Sequence, residues 1–408
     1  MISRFPLPPW TKRLARVLLI LLLVGVLALA VGVAFLEIRR HQTLVLPAPT
    51  GPYAVGRVEY DWTDRSRSDP LAPRAGMKRE LVVWAWYSAK PLPGALPAPY
   101  LPQQWAQLSD QQHGLLGGLL TQSSDSIQSH SVQDAPLSSA AARYPVLIFE
   151  PGLGNLPTQY TTLLEDLASH GYVIFAITPT YSSDVVVFPD GRVVKATPRG
   201  LLNTSENPRA AAAQLVGLWS QDVIFVLNQL DHLNAMPGTM WSQRLDLARL
   251  GVFGHSLGGA TAAQVCHLDR RCKAGIDLDG DLAGSVVQAG LVTPFMVIQH
   301  DMGSCSDSGC RTFQQEVQAI LRTVPPGASY HLSIAGTAHF NFTDYAVHAL
   351  PLGLRLLGLL GSIDGARGLA ITRAYVRAFF DTYLSQIPSP LLRGPTGVYP
   401  EVQFFSAY

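Results

Sequence analysis

The hydrophobic positions of the chain form short apolar runs that alternate with longer segments of helical periodicity. Residues 145–149 and 172–177 are almost continuously apolar, which is the pattern of strands buried on both faces. Long helices are predicted over residues 209–233 and 371–384. This alternation predicts the α/β class, with a mostly parallel central sheet covered by helices on both faces. The other predicted strands cover residues 53–62, 79–88, 250–254, 274–279, 294–299 and 330–334.

One segment departs from this alternation. Residues 91–142 are rich in Pro, Gln, Ser and Ala and contain one apolar patch, at residues 115–120. This composition predicts a long surface insertion. Farther along, Asp190-Gly191 lies between two short valine-rich runs and predicts a β-hairpin.

The first part of the chain has the pattern of a membrane helix. Residues 17–36 are 20 residues without a charge, and such a helix spans roughly 30 Å, the thickness of a bilayer core. Basic residues precede it, whereas residues 37–40 carry a net charge of only +1. The positive-inside rule therefore places residues 1–16 in the cytoplasm. We expect a transmembrane signal anchor, a linker over residues 37–52, and a folded domain over residues 53–408 in the periplasm or outside the cell.

A cleaved signal peptide is the alternative to this anchor. Ala28-Leu-Ala30 has the small residues of a cleavage site. The apolar run continues past Ala30, which favours the uncleaved single-pass anchor. The domain is exported in either case, and cleavage would make the protein secreted.

Composition excludes some classes of function. Charged residues make up 14% of the chain and hydrophobic residues 48%, which argues against disorder as the main state. The net charge of +1 provides no electrostatic basis for a nucleic-acid partner. The cysteines form two close pairs, Cys266 with Cys272 and Cys305 with Cys310. An oxidising compartment would allow two local disulfides, although their connectivity does not follow from the sequence.

The candidate chemistry centres on a serine flanked by glycines. Gly254-His255-Ser256-Leu257-Gly258-Gly259 follows a short apolar strand and precedes a run compatible with a helix. This is the context of a nucleophile elbow, a tight turn that lifts the serine Oγ above the sheet edge. Glycine is needed at positions 254 and 258 because side chains there would collide with neighbouring backbone. Ser256 is therefore the candidate nucleophile.

A serine nucleophile needs a base, and the base needs an acid that orients it. After an elbow of this type the acid and then the base follow the serine along the chain. His339 lies in a loop directly after the last predicted strand, from which a base can reach back over the sheet edge. Asp279 and Asp301 follow two neighbouring strands. Spacing alone leaves both of them open as the acid.

The negative charge that develops on the substrate oxygen needs two backbone donors. One is expected from the N–H of Leu257, directly after the nucleophile. The other is expected from the loop Glu150-Pro-Gly-Leu-Gly-Asn155, whose glycines allow close approach to a ligand. Leu153 is the natural donor in that loop.

Three motifs together resemble the platelet-activating factor acetylhydrolase family, which comprises secreted or membrane-associated serine esterases of the α/β-hydrolase fold. They are GHSLGGAT at residues 254–261, AGIDLDG at 274–280 and GTAHFNFTD at 336–344. The resemblance begins near residue 53 and covers nearly all of the rest of the chain. It implies that residues 53–408 form an α/β-hydrolase catalytic domain.

The resemblance also implies roles for the candidate residues. Ser256 would be the nucleophile, Asp279 the acid, with Asp301 second, and His339 the base. Leu153 and Leu257 would supply the N–H groups of the oxyanion hole. The implied activity is hydrolysis of short or oxidised acyl chains from phospholipids through an acyl-serine intermediate, without a metal or organic cofactor.

Other functions on the same scaffold stay open. A general esterase, lipase or polyester hydrolase would use the same residues, as would an acyltransferase that passes the acyl group to an alcohol. A non-catalytic binding protein is the remaining alternative. The expected partners are a phospholipid or small-molecule ester and, through the N-terminal helix, a membrane, but no nucleic acid; the oligomeric state is open.

A leucine-rich segment follows the candidate base. Residues 350–360 are almost entirely leucine and glycine. The segment is compatible with a surface that dips into lipid beside the site and equally with an ordinary core helix.

Overall fold

A single large sheet organises the part of the chain that the structure describes. The structure is a computed structural model that describes residues 9–91, 93–112, 114–203, 205–303, 305 and 308–405. Residues 1–8 of the predicted cytoplasmic tail lie outside the described residues. The strands, in chain order, are β1 (Leu44–Val45), β2 (Ala54–Ser68), β3 (Lys78–Ala89), β4 (Pro97–Pro99), β5 (Ile127–Gln133), β6 (Tyr144–Glu150), β7 (Val173–Thr178), β8 (Val185–Val187), β9 (Val193–Lys195), β10 (Leu245–His255), β11 (Ala274–Leu278), β12 (Phe295–His300), β13 (Ser329–Ile334) and β14 (Val402–Phe404).

The sheet has 12 strands, in the order β1-β5-β2-β3-β7-β6-β10-β11-β12-β13-β14, with β4 paired to β5 off this path. From β7 to β13 all neighbouring strands are parallel. Strands β8 and β9 form a separate antiparallel pair around the predicted Asp190-Gly191 turn. The predicted mostly parallel sheet is therefore confirmed.

Helices cover both faces of this sheet. They are α1 (Pro9–Arg40), α2 (Gln103–Gln112), α3 (Gly114–Leu120), α4 (Thr161–Ser169), α5 (Pro208–Ala235), α6 (Leu257–Leu268), α7 (Val286–Ala289), α8 (Ser308–Leu321), α9 (Tyr345–His348), α10 (Pro351–Leu356) and α11 (Gly365–Leu384).

Alternate residues of each central strand face opposite layers, because side chains along a strand point to opposite faces of the sheet. In β6, Leu147 and Phe149 lie in a core cluster with residues of α4 and α11. Val146 and Ile148 lie in a second cluster, with residues of α5, α6 and α8. The two-sided burial explains why the central strands are continuously apolar in the sequence.

The predicted surface insertion over residues 91–142 is wrong. The segment contains α2, α3 and β5, and β5 pairs with β2 inside the main sheet. Trp105 of α2 is buried and donates a hydrogen bond to the carbonyl of Val185. Polar groups of β5 have partners inside the fold: the buried carboxylate of Glu165 accepts hydrogen bonds from the backbone N–H groups of His130 and Ser131 and from the Ser131 hydroxyl. Composition alone therefore misrepresents a strand whose polar groups are satisfied inside the fold.

The predicted linker over residues 37–52 contributes contacts to the domain. α1 extends to Arg40, and β1 pairs with β5. Leu46 is buried, and Thr50 donates hydrogen bonds to Asp166 at the end of α4. The apolar part of α1 is uncovered, and by length and composition alone it is a candidate membrane span.

A second helix passes the same length and composition test. It is α5, but its most apolar window is 44% buried inside the fold, so α5 has the character of a core helix. The two cysteine pairs lie at disulfide distance. The Cα atoms of Cys266 and Cys272 are 5.0 Å apart, and those of Cys305 and Cys310 are 5.5 Å apart.

Candidate active site

Ser256 occupies the tight turn between β10 and α6. β10 ends at His255 and α6 begins at Leu257, which leaves the serine as the single connecting residue. Its φ of 57° is in the left-handed region, an unusual conformation for a non-glycine residue. A Cβ on residue 254 would lie 2.3 Å from the backbone of Gly258, and one on residue 258 would lie 2.1 Å from the carbonyl oxygen of Glu150. Glycine is therefore required on both sides of the elbow.

The two candidate oxyanion donors flank this serine. Leu257 is the first residue of α6, so its N–H has no partner within the helix. Leu153 lies in the turn that follows β6, which is closed by a hydrogen bond from the Asn155 N–H to the Gly152 carbonyl. A Cβ on Gly152 would lie only 3.3 Å from the Cβ of Ser256. The loop that carries Leu153 therefore packs directly against the nucleophile elbow.

The structure brings Asp279 and His339 together. Nδ1 of His339 lies 2.6 Å from Oδ2 of Asp279. Because an ionised carboxylate only accepts hydrogen bonds, Nδ1 carries the proton and Nε2 keeps its lone pair. The Asp279 side chain is almost completely buried, whereas the His339 ring is 37% exposed. This arrangement orients an imidazole base whose ring is partly exposed.

The competing acid, Asp301, has different partners. Its Oδ2 accepts a hydrogen bond from the N–H of Gly336, and its Oδ1 accepts one from the N–H of Gly303. Asp301 therefore fixes the start of the loop that carries His339 and makes no hydrogen bond to the ring.

Asp279 interacts with a second histidine that the sequence did not single out. Oδ1 of Asp279 lies 2.7 Å from Nδ1 of His300, and it also accepts the backbone N–H of His300 at 2.8 Å. Burial opposes ionisation of Asp279, but the hydrogen bonds from His300 and His339 outweigh it and hold its pKa well below the usual range. Asp279 is therefore an ionised carboxylate shared by two imidazoles.

A further network links the elbow to the oxyanion loop through Tyr160, which sequence analysis also missed. The Tyr160 hydroxyl accepts hydrogen bonds from the Gly152 N–H and from Nδ2 of Asn155. It donates its own proton to Nδ1 of His255, and Nε2 of His255 donates to the carbonyl of His339. Burial, assisted by the neighbouring His339, lowers the pKa of His255 to about 3, so this ring is neutral. The network ties the base, the elbow and the oxyanion loop together.

Among the described residues, one group meets the distance criterion for a metal site. It consists of His255, Asp279 and His339, whose ligand atoms all lie within 4.8 Å of one another. Both ring nitrogens of His255 and both carboxylate oxygens of Asp279 already take part in hydrogen bonds. The donor set therefore fits a hydrogen-bonded catalytic centre better than a metal centre.

An apolar cavity of about 960 Å³ adjoins the oxyanion loop. It lies between the last turns of α1, the end of α3 and the segment around α10, and Leu153 is part of its wall. We call the leucine-lined part of this cavity the pocket mouth, defined by Leu36, Leu120, Leu354, Leu356 and Leu357. In the predicted leucine-rich segment, Leu354 and Leu360 are buried, whereas Leu352, Leu356 and Leu357 are exposed. The segment therefore combines a core-facing side with an apolar surface.

Comparison with known proteins agrees with this geometry. A family model described as platelet-activating factor acetylhydrolase, isoform II, matches residues 40–187 and 228–387. The chain belongs to this family. The resemblance drawn from the motifs is therefore confirmed.

Two individual relatives from the acetylhydrolase family match large parts of the chain. A probable 1-alkyl-2-acetylglycerophosphocholine esterase of Arthroderma benhamiae is 28% identical over 389 residues, which cover 89% of this chain and 94% of that protein. The platelet-activating factor acetylhydrolase of Cavia porcellus is 26% identical, and the match covers 66% of this chain and 64% of that relative. The chain thus spans somewhat less than two thirds of the guinea pig enzyme.

A solved structure supports the fold and the enzyme class of this acetylhydrolase-family chain. A ferulic acid esterase from Streptomyces cinnamoneus is 31% identical and superposes with a TM-score of 0.74. The match covers 90% of this chain and 100% of that structure. The predicted α/β-hydrolase fold and carboxylic ester hydrolase class are confirmed.

The motif after the base explains how this chain of the acetylhydrolase family holds His339. Oδ1 of Asn341 accepts hydrogen bonds from the N–H groups of Ala338 and Gly361, which closes the loop on both sides of the histidine. Asp344 is buried, and its Oδ1 accepts the N–H of Thr162 in the first turn of α4. The asparagine and the aspartate therefore position the base loop.

Proposed function

We propose that the protein hydrolyses short or oxidised acyl chains from phospholipids through an acyl-Ser256 intermediate. The observation that carries the proposal is the hydrogen bond between Asp279 and His339 beside the elbow that presents Ser256. A buried carboxylate, an oriented imidazole and a serine in a strained turn are the parts that acyl transfer to a serine requires.

The proposed reaction has two steps. Nε2 of His339 takes the proton of the Ser256 hydroxyl as Oγ attacks the ester carbonyl, and the same proton then leaves with the alcohol. His339 next takes a proton from water as the water attacks the acyl carbon, and it gives this proton to Oγ of Ser256 as the acyl–oxygen bond breaks and the carboxylic acid leaves. Asp279 holds the ring in the required tautomer and stabilises the imidazolium. The N–H groups of Leu153 and Leu257 stabilise the negative charge on the carbonyl oxygen.

The cavity beside Leu153 supports a substrate with an apolar chain. Its volume of about 960 Å³ and its leucine-rich walls provide room for more than an acetyl group. The names of the fungal and vertebrate relatives point to an acetylated glycerophospholipid. We infer that the scissile ester lies near the oxyanion loop and that its acyl chain, where longer than acetyl, extends toward the pocket mouth.

We propose that α1 holds the domain at a membrane. Its apolar part is uncovered, and the exposed Leu356 and Leu357 at the end of α10 lie at the pocket mouth, to which the last turns of α1 also contribute. The catalytic domain would then face the periplasm or the exterior, and signal cleavage would release it as a secreted enzyme. In the anchored form, lipid substrate would reach the pocket from the bilayer that holds α1.

A general carboxylesterase is the second candidate, favoured by the ferulic acid esterase neighbour. It would use the same serine, histidine and aspartate on small soluble esters. The difference between the two candidates lies in the alcohol and acyl groups that the cavity accepts, and substrate comparison separates them.

The test uses the full-length protein in detergent micelles. A fluorophosphonate probe should label the wild type and fail to label Ser256→Ala. Hydrolysis should be fast on a 2-acetyl phospholipid, slower on its long-chain counterpart and slow on a feruloyl ester. Labelling together with feruloyl but no phospholipid hydrolysis would replace the lipid substrate with the second candidate. Absence of labelling in the folded wild type would overturn the serine-hydrolase proposal.

A further inference from the structure

The carboxylate of Asp279 is shared between two histidines, His300 at the end of a strand and His339 in the loop after the next strand. One oxygen faces Nδ1 of His339 at 2.6 Å and the other faces Nδ1 of His300 at 2.7 Å. His300 ends β12, the neighbour of the strand that Asp279 follows. A catalytic acid needs one imidazole partner, so the second ring is not explained by the proposed reaction.

We propose that His300 is a second proton-accepting group on Asp279, a positioning residue whose protonation weakens the support that Asp279 gives to the imidazolium of His339. The inference rests on the proposed function, because it concerns the same acid and base. In its neutral form His300 donates an N–H to Asp279 and helps to fix the carboxylate. In its protonated form it brings a full positive charge to the same group.

The geometry provides a site for that proton. Because Nδ1–H of His300 faces a carboxylate, Nε2 carries the lone pair at which a proton is taken up. The His300 side chain is 32% exposed, so protons from solvent can reach it. The hydrogen bond to Asp279 raises the pKa of His300, and the charges of Asp279, Asp301 and Asp281 act in the same direction against partial burial.

The groups around the His300 ring explain why its protonation would affect His339, the base. Asp279 faces the His300 ring from the residue after β11, Asp301 and Asp281 lie nearby, and His339 lies on the far side of the shared carboxylate. His255, whose ring centroid lies 4.5 Å from that of His339 with an angle of 37° between the ring planes, is neutral and does not compete for the proton. Two imidazoles that share one negative charge titrate as a coupled pair.

The consequence is a two-step loss of activity as the pH falls. Above both ionisations the two rings are neutral and the rate is maximal. The first proton binds to His339 in some molecules and to His300 in the others. Where it binds to His300, Ser256 reacts at least about tenfold more slowly, because the negative charge of Asp279 is already compensated by the His300 imidazolium. The second proton then occupies the remaining ring and abolishes the reaction. An isolated acid–base pair loses activity through a single ionisation.

The experiment measures the rate constant for phosphonylation of Ser256 by a fluorophosphonate probe, from about pH 5 to 9, with full-length protein in detergent. His300→Asn keeps an amide N–H that can donate to Asp279 but does not titrate in this range. The fall of the rate constant at low pH, the acid limb of the profile, should require two ionisations in the wild type and only one in His300→Asn. The maximal rate constants of the two proteins should lie within about threefold of each other. His267→Asn, which changes a histidine at the end of α6 bonded to the Gly290 carbonyl, should keep both ionisations.

The outcomes are distinct. A single ionisation in the wild type, or an unchanged acid limb in His300→Asn, would overturn the proposal for His300 alone. So would a uniform loss of rate at all pH values, since that marks a purely structural role. If His300→Asn does not fold, the titration of labelled histidines in the wild type decides: two inflections for each of His300 and His339 support the pair, and one inflection overturns it. A folded wild type that the probe does not label overturns both this inference and the proposed function.

Discussion

The floor of the candidate site, which carries the catalytic groups, and the pocket mouth are held by different kinds of interaction. We define the floor as Ser256, Asp279, His339, His255 and Tyr160. Its titratable groups are held by short hydrogen bonds, such as those that two histidines donate to Asp279 and the one that Tyr160 donates to His255. The pocket mouth, by contrast, consists of leucine side chains, and Leu356 is 80% exposed. Directional bonds fix the geometry for chemistry, whereas non-directional apolar contacts tolerate varied chains.

The largest effect is expected from breaking the floor at its acid. Asp279→Asn keeps the size of the side chain but removes the charge that stabilises the imidazolium of His339. We expect kcat/KM to fall about 10³- to 10⁴-fold, mainly through kcat. Hydrolysis of a 2-acetyl phospholipid by full-length protein measures the change.

Asp301→Asn is the matched control for that substitution. Asp301 follows the neighbouring strand but bonds to the backbone of Gly336 and Gly303. Its loss should cost less than about tenfold, because the variant disturbs the base loop without touching the ring. If Asp301→Asn were the more damaging of the two, the acid would have to be reassigned.

A smaller effect is expected from loosening the floor at Tyr160. Tyr160→Phe removes the hydroxyl that joins the Gly152 N–H, Asn155 and His255. The oxyanion loop and His255 then lose their common partner, and kcat should fall about 10- to 100-fold with little change in KM. Steady-state kinetics on a soluble acetyl ester measure both constants. A rise in KM at unchanged kcat would show instead that Tyr160 shapes the binding pocket.

These two predictions differ in how far the sequence supports them. The elbow could be predicted because its requirements are local: Gly254, Ser256 and Gly258 are close in sequence and lie between a strand and a helix. Asp279 and His339 are 60 residues apart, yet each lies in a loop that follows a parallel strand of the same sheet. The carboxyl ends of parallel strands meet at one edge, which predicts an acid near His339 but leaves both Asp279 and Asp301 open; the family resemblance is what favours Asp279.

Tyr160 and His300 show where this reasoning stops. Tyr160 precedes an ordinary apolar helix, and no local pattern signals that its hydroxyl bonds to His255, 95 residues away. His300 occupies the last position of a strand, where a polar residue is common, and its partner depends on the twist and register of β11 and β12. A contact that depends on tertiary packing produces no periodic pattern in the sequence.

The mouth was harder to predict than the floor for a related reason. Leu36, Leu120 and Leu354 belong to three segments that are far apart in the sequence. Two of these segments were predicted to be parts of an anchor and of a surface insertion, and neither prediction placed them at the site. Apolar residues do not specify their partners, so only the folded arrangement of α1, α3 and α10 brings them together.

The mildest prediction tests whether α1 contributes to substrate selection as well as to attachment. Its last turn is held at the domain because Arg40 forms an ion pair with Asp110 at 3.1 Å and its carbonyl accepts the N–H of Ser123. Leu36, one turn earlier, lines the cavity. Leu36→Ala removes part of the apolar wall and should raise KM for a phospholipid with a medium-length acyl chain about tenfold. Hydrolysis of the 2-acetyl lipid should change little, because its acyl group is too short to reach this wall.

Leu29→Ala provides the control that separates the wall from the anchor. Leu29 lies on the same helix and is exposed, but it does not line the cavity. Both variants shorten an apolar side chain of α1, so an effect on membrane attachment should be similar in the two. A change in chain-length preference confined to Leu36→Ala means that the wall acts on the acyl chain. Equal changes in both variants would mean that α1 acts only by placing the domain at the bilayer, and substrate selection would then belong to Leu153 and the segments around α3 and α10.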